Sequence, residues 1–379
     1  MKIWIFFWSR SAEHDVSITS AYVVMKWLSR VPGYEIVPVY ITREWNWYSD
    51  PSYRDIKNLK NLKADHEIVL NLSVSDQKMH LEKRKLWVFS RKELLVLDVA
   101  FHVIHGLGGE DGSIQGLCEL LRVPYVWPGI LGGSMTLDKC ISKEIFRAHG
   151  FPITKYLSYR RGKSSTKVIE KELRYPLFVK PYNLGSSIGI SRVTDVQWLT
   201  EAIEVAEHFS DIVIIEEWVV NPIELNCAVT EIDGVIVTSL VEQPIPNAEF
   251  LSFEAKYIVS DEGGWSMSGN KKRLKIPAEI PDDITQEIQS MTKGLFQIFR
   301  LGWAPRVDWL YDKEANQLYV NEINPIPWAL QLHLWEASGI NQKDFLKGLI
   351  QSAIVQNERR NVHIDFKSNI LDHTISFMK

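Results

Sequence analysis

The stretch from Arg306 to Trp328 reads RVDWLYDKEANQLYVNEINPIPW, and it holds the residues best suited to chemistry. Two strand-like runs, VDWLY and QLYVNEI, flank the polar turn DKEAN, the pattern of a β-hairpin. Asp308 falls near the start of one strand. Glu322 and Asn324 close the other, two residues apart and therefore on one face. Three oxygen-bearing side chains converging on a point, with Arg306 beside them, suit a hard divalent cation. Mg²⁺ takes a few carboxylates together with substrate phosphates rather than an all-protein cage. The plain alternative is a solvated hairpin with scattered acids. These acids interrupt apolar runs, and a burial-prone strand rarely carries unpaired charge. Metal binding is the expectation.

Further groups point toward phosphate. NLGSSIGIS (183–191) joins two strand-like runs, and its Gly185, Ser186 and Ser187 supply a close backbone approach, amides and hydroxyls to an anion. It is neither a Walker A loop nor a Rossmann fingerprint, and a glycine-containing hairpin turn is the plain alternative. Lys180 lies in the otherwise apolar LFVKP and needs an anionic partner, either a ligand or a structural acid. Lys139, after Asp138 on a helix's first turn, is unremarkable by itself. IVIIEEWV ends in Glu216, Glu217 and Trp218, where a strand end can read an adenine edge, with Glu224 downstream for a ribose. Singly, these acids read as surface groups. HGLGGEDG (105–112) follows a strand and carries His105 and Glu110, while Glu13 sits in the loop after the first strand. Ligands of open α/β sheets bind at strand carboxyl ends, so both loops can face one cleft; His105 also fits a satisfied core imidazole. Lys256 and Tyr257 lie in a long polar segment suited to a lid, or simply exposed.

The elements that must position these groups divide the chain in three. Residues 1–40 alternate as strand, loop, helix, strand, a βαβ opening that implies parallel pairing in an α/β sheet. Residues 41–95 read as a hairpin-bearing insertion, and the strand VLDVAFHVIH leads into the HGLGGEDG loop. A first domain covers 1–138. A second, 139–215, begins in the helix SMTLDKCISKEIFRAHGF and continues through strands that suggest an antiparallel sheet beside helices. The third, 216–379, opens with the strand DIVIIEEWV and carries the metal hairpin.

In bulk, 379 residues with 45% hydrophobic and 24% charged content describe a multi-domain globular protein. A net charge of -4 without a long Lys/Arg run argues against a dedicated nucleic-acid binder. Cys118, Cys140 and Cys227 are far apart and odd in number, which suits a reducing cytoplasm. The N-terminal apolar run meets charge at once and reads as a buried strand rather than a signal peptide. No segment approaches the roughly 20 apolar residues of a membrane span.

In order, these motifs read HGLGGEDGSIQG, LDK, VKPYNLGSSIGIS, IIEEW, EAKY, and RVD with NEIN. From about residue 3 to about residue 350 the chain resembles the D-alanine–D-alanine ligase family of the ATP-grasp superfamily. The resemblance implies an α/β (α+β) three-domain ATP-grasp fold with ATP between the central and C-terminal domain sheets. It implies two Mg²⁺ ions, with Mn²⁺ as a substitute, on Asp308, Glu322 and Asn324. Lys139 and Lys180 would contact ATP phosphates under the Gly185–Ser186–Ser187 hairpin, and Lys256 would approach the terminal phosphate. Glu216, Glu217, Trp218 and Glu224 would bind adenine and ribose. Family chemistry joins two amino acids through an acyl phosphate. Glu13 would anchor the first ammonium and form a triad with Ser186 and Tyr257, Arg306 would stabilise the oxyanion, and His105 and Glu110 would lie near the first substrate. Homodimers are common in the family, and its substrates are small molecules rather than nucleic acids or membranes.

The sequence departs from the family pattern in two places. Trp8-Ser9 stands where a Gly-Gly pair is usual. After Asn324 the family pattern has a Pro-Gly and then a Ser-Leu that receives the second substrate's carboxylate. Here Trp328 takes the glycine's place, and His333-Leu334 replace Ser-Leu. The ATP and donor machinery reads as intact, while the acceptor pocket is altered. Two readings follow: a D-alanine–D-alanine ligase proper in peptidoglycan synthesis, or the same chemistry with another acceptor.

Overall fold

The computed structural model describes residues 1–7, 11–59, 67–71, 80–83, 93–245, 274–360 and 370. Lys256, Tyr257, Trp8 and Ser9 lie outside these residues. Among the described residues the strands form an eight-stranded, two four-stranded and one two-stranded sheet.

The first sheet is built on β1 (Lys2–Phe7), whose KIWIFF run is buried on both faces, as a central parallel strand must be. It pairs in parallel with β2 (Glu35–Ile41), reached through α1 (His14–Leu28). The region expected as a hairpin-bearing insertion extends this sheet. β3 (Trp47–Tyr48) joins β2 antiparallel, and after the short α2 (Ile56–Leu59) the sheet continues through β4 (Glu67–Asn71), β5 (His80–Lys83) and β6 (Glu93–Val96). On the other side β7 (Val99–Val103) lies parallel to β1, with β8 (Tyr125–Val126) beyond it, after α3 (Ser113–Leu120).

The helix expected over SMTLDKCISKEIFRAHGF is two helices. α4 (Ile130–Leu137) stops at Asp138, whose extended backbone turns a corner, and α5 (Lys139–Ala148) starts there. The Asp138 carboxylate accepts from the N–H groups of Cys140 at 2.9 Å and Ile141 at 3.0 Å. That N-cap satisfies donors a continuous helix would have used, which favours the break.

The second sheet runs β9 (Tyr156–Arg160), β12 (Ile212–Glu217), β10 (Leu177–Pro181) and β11 (Ser191–Val193), all antiparallel neighbours. α6 (Thr166–Glu172) and α7 (Leu199–Glu207) complete this unit, and Leu177, Val179, Val213 and Ile215 form its core with Leu199 and Ile203. This corrects one expectation. The strand DIVIIEEWV pairs with β10 and β9, so it belongs to the central sheet rather than opening the third unit.

The third sheet runs β14 (Val235–Thr238), β13 (Ile223–Ile232), β17 (Arg306–Asp312) and β18 (Gln317–Asn324). α8 (Asp282–Ile298) covers its apolar face, where Ile288 and Leu295 meet Val307, Trp309 and Val320. The two-stranded sheet pairs β15 (Gln243–Pro244) with β16 (Leu274–Lys275). α9 (Leu332–Ala337) and α10 (Gln342–Arg360) close the described chain, and Trp335 and Leu346 pack them into the first unit's core.

Candidate active site

The metal hairpin forms as expected, with one device the sequence conceals. Arg306 pairs with Asn324 and Asp308 with Glu322, so all four side chains share a face. The register then shifts: Trp309 faces Val320, leaving Asn321 without an opposite residue. This β-bulge resets the alternation. Leu318 and Val320 are buried, and strict period two would have buried Glu322 as well; instead Ile323 takes the core side. The bulge is what turns Glu322 and Asn324 toward Asp308.

On that face the Asp308 carboxylate accepts from Arg306 Nη2 at 2.7 Å and from Asn324 Nδ2 at 2.9 Å. Lys139 Nζ lies 3.4 Å from Glu322 Oε2 and donates to the Leu184 carbonyl at 2.7 Å, tying α5 to both the hairpin and the glycine-serine loop. Among the described residues no group of three or more His, Cys, Asp or Glu is gathered for a metal ion. Two carboxylates and an amide on one sheet face nevertheless form the hard, oxygen-rich donor set that Mg²⁺ takes when substrate oxygens complete it.

The central sheet contributes a buried charge cluster. Phe178, Lys180, Ile214 and Glu216 share the face opposite that unit's core, by the β10–β12 register. Glu216 Oε1 pairs with Lys180 Nζ, and its Oε2 lies 2.8 Å from Lys143 Nζ. Thr154 Oγ1 joins both, at 3.2 Å from Glu216 Oε2 and 3.3 Å from Lys143 Nζ. Burial alone would push the Glu216 carboxyl up, but Lys143 and Lys180 outweigh it and hold it far below the usual carboxylate range. Burial pulls Lys143 down against the pull of Glu216, whereas for Lys180 the acids Glu216 and Glu322 overcome burial and raise it.

Glu216 was expected at the nucleotide's base. Its carboxylate is engaged by two lysines, because strand alternation points it to the same side as Lys180. Glu217 takes the other side, where its Oε1 accepts from the Arg174 N–H at 3.0 Å. Trp218 stacks on Phe178 with ring centroids 3.8 Å apart, and the Arg192 guanidinium lies 4.7 Å from the indole centroid. Glu224 is exposed on β13 opposite Leu310.

The glycine-serine loop joins β10 to β11 as the expected hairpin. Ser186 and Ser187 both have left-handed backbones, φ 55° and 62°, a strain of about 1–3 kcal/mol each that clusters at functional loops. Ser186 Oγ donates to Glu13 Oε1, joining this loop to the one after β1. Gly185 and Gly106 both press on that carboxylate: an added Cβ would lie 3.0 Å from Glu13 Oε1 at Gly185 and 2.9 Å from Oε2 at Gly106, whose φ is +75°. Glu110 is buried alongside and accepts from the Gly106 N–H at 3.0 Å. Burial first, then the neighbouring Glu13 carboxylate, raise the Glu110 carboxyl well above its ordinary range. Two adjacent buried acids make this corner receptive to a cation.

His105 is a core imidazole. Its Nε2 bonds Ser20 Oγ at 2.9 Å, and its backbone N–H donates to Ser17 Oγ at 3.0 Å. Burial drives its pKa down to about 3, against a hydrogen bond with the Ile326 backbone that favours the charged form. The ring is therefore neutral and holds α1 to the loop after β18. That loop carries Ala329, Leu330 and Gln331, three consecutive residues with φ between 46° and 55°. It is pinned to α1 by Trp328 Nε1 donating to Thr19 Oγ1 at 3.2 Å and by the Ala329 N–H donating to Ser20 Oγ at 3.0 Å.

His333 Nε2 lies 2.6 Å from Glu242 Oε2. Glu242 is 3% exposed, and its Oε1 accepts from Asn226 Nδ2 at 3.2 Å. Leu334, expected at the acceptor, is wholly buried in the core. Lys143, Thr154 and Glu242 escaped the sequence reading. The one available signal for Lys143 was its spacing, four residues after Lys139 on one helix face.

Two family models match the chain: D-ala D-ala ligase N-terminus over residues 2–128 and D-ala D-ala ligase C-terminus over residues 145–351. The chain belongs to the D-alanine–D-alanine ligase family. It is an ATP-dependent, ADP-forming ligase acting on small molecules. The D-alanine–D-alanine ligase of Caldicellulosiruptor bescii is 35% identical over 370 residues, covering 95% of this chain and 97% of the relative. That of Thermosipho africanus is 34% identical and covers 93% of each. Among solved structures, the VanG D-Ala:D-Ser ligase from Enterococcus faecalis has a TM-score of 0.76 and 27% identity, covering 93% of this chain and 99% of that one. The D-alanine–D-alanine ligase from Coxiella burnetii, at 24% identity and TM-score 0.79 over 100% of this chain and 99% of that one, shares the fold. Among the described residues no helix is long and apolar enough to cross a membrane.

Proposed function

We propose that this chain activates D-alanine with ATP and joins it to an amine acceptor whose pocket differs from that of the ordinary family member. The observation that carries this reading is the union of Glu13 with Ser186, which brings a cation-receptive acidic corner against a loop built for phosphate. A carboxylate oxygen of D-alanine attacks the γ-phosphorus of ATP, the bond to the bridging oxygen breaks, and ADP leaves. The acceptor amine, having lost a proton, attacks the acyl carbon, and phosphate leaves with an oxygen that began in D-alanine. Lys139 and Lys180 neutralise phosphate charge, Glu13 holds the donor ammonium, and Arg306 stabilises the oxyanion. Glu110 and neutral His105 support the donor loop. Trp218, Glu217 and Glu224 serve the base and ribose, Lys256 serves the terminal phosphate, and Tyr257 serves the triad with Glu13 and Ser186. Asp308, Glu322 and Asn324 would hold Mg²⁺, or Mn²⁺ in its place, which supplies charge neutralisation to the phosphoryl group.

A heavy-oxygen label in the D-alanine carboxylate tests the acyl-phosphate route. Label recovered in inorganic phosphate supports it, and unlabelled phosphate removes it. The changed acceptor is favoured by His333 and Trp328. His333, held by Glu242, replaces the family's hydroxyl, and the Trp328 indole stands where the family pattern has a glycine. The domain reading becomes an N-terminal unit to Asp138, a central unit that includes β12, and a C-terminal unit with the hairpin. Three free cysteines fit a cytoplasmic setting, and a homodimer is checked by sedimentation.

A further inference from the structure

Lys143 has no part in the chemistry just described, yet it is 1% exposed and carries a charge into the cleft face of the central sheet. A buried lysine is costly unless paired. Its partner is already occupied: Glu216 also binds Lys180, the lysine of the phosphate site. The three side chains come from α5, β10 and β12, and each is at least nine-tenths buried.

We infer that Lys143 is a positioning residue that sets the charge balance of the nucleotide site by sharing Glu216 with Lys180. This rests on the reading that Lys180 contacts ATP phosphates. Two lysines and one glutamate leave the cluster with one net positive charge. Without Lys143, Glu216 and Lys180 form a neutral pair, and Lys180 must release a buried carboxylate before it can hold a phosphate. Lys143 divides the carboxylate, one oxygen to each lysine, so Lys180 stays fixed in direction and keeps surplus charge for the ligand. Thr154, within hydrogen-bond distance of both Lys143 and Glu216, fixes the geometry.

The effect is one of charge, which separates it from packing. Methionine nearly matches the lysine stem, so K143M removes the charge with little change of volume. Binding of ATP and ADP by calorimetry should weaken about tenfold or more, the scale of a lost hydrogen bond to a charged group. The donor's KM should not move. The double variant K143M/E216Q removes the competing carboxylate as well and leaves one positive charge on Lys180. It should recover most of the lost affinity, and it also replaces a buried ion pair by neutral groups, a change that protein stability often tolerates. Should K143M fail to fold, the double variant is compared directly with the wild type, and near-normal binding supports the proposal. Wild-type affinity in K143M, or a double variant that binds nucleotide as weakly as the single one, overturns it. Absence of nucleotide binding by the wild-type chain would instead remove the reading of the site itself.

Discussion

The indole N–H of Trp328 donates to Thr19 Oγ1 at 3.2 Å, joining the loop after β18 to α1. Ser20, the next residue on α1, accepts from the Ala329 N–H and bonds His105. One helix thus holds both the donor-side loop and the start of a strained left-handed turn. The indole is held in place, and its bulk stands where the family pattern has a glycine.

Replacing Trp328 by glycine frees the volume of an indole near the acceptor. W328G should broaden or shift the range of amines accepted, read as the product distribution from a mixed acceptor pool. An unchanged distribution would remove the argument for a remodelled pocket. ATP affinity is the control, since the Trp328 indole bonds Thr19, which is not assigned to the nucleotide.

Asp308 and Glu322 face each other across β17 and β18, and Asp308 is also held by Arg306 and Asn324. Glu322→Ala should cut ATP turnover by about a thousandfold or more, as expected when a metal's several kcal/mol of charge stabilisation is lost. The thermal midpoint should stay near that of the wild type, because Glu322 is only half-buried. Near-normal turnover would show that the metal assignment is wrong.

Ser186 bonds Glu13 from a loop that also bears the left-handed Ser187. Ser186→Ala removes one hydrogen bond to a charged group, about 1.5–3 kcal/mol. It should lower kcat/KM for D-alanine by roughly tenfold or more and leave folding intact. Steady-state kinetics with D-alanine varied at saturating ATP provide the check; an unaltered kcat/KM would detach the loop from the donor site.

His105 gives a pH signature. Its folded pKa is about 3 against an ordinary 6.5, so the folded state resists protonation. A group depressed in this way contributes stability that is present above pH 6.5 and lost as pH falls toward about 3. The wild type should lose up to about 1.4 kcal/mol per pH unit from this group across that window. His105→Gln should flatten the dependence, measured as urea midpoints at successive pH values; equal slopes would contradict the assignment.

Much of this site was legible, and what stayed hidden has physical reasons. The hairpin, the glycine-serine loop and Lys180 announced themselves because polar residues interrupt apolar strands. The helix of residues 134–151 looked continuous because its apolar spacing survives the corner at Asp138, where a cap rather than a breaker ends the first segment. Glu216 and Glu217 read as a pair, yet strand alternation sends them to opposite faces. Ala329, Leu330 and Gln331 carry no sign of a left-handed turn, since each favours ordinary helix when tertiary contacts do not intervene. Lys143 was masked for the opposite reason: a lysine on an amphipathic helix is what any exposed face would show.

The most direct test is ADP release with ATP, Mg²⁺ and D-alanine as the sole amino acid, with the product mass measured, followed by D-alanine paired with other amines. ADP formation should require D-alanine, and the condensed product's mass should include one D-alanyl group, with a second amine preferred over D-alanine as acceptor. Fast formation of D-alanyl-D-alanine with no gain from any other amine would contradict the altered acceptor pocket. No ADP under any pairing would contradict the ligase reading itself.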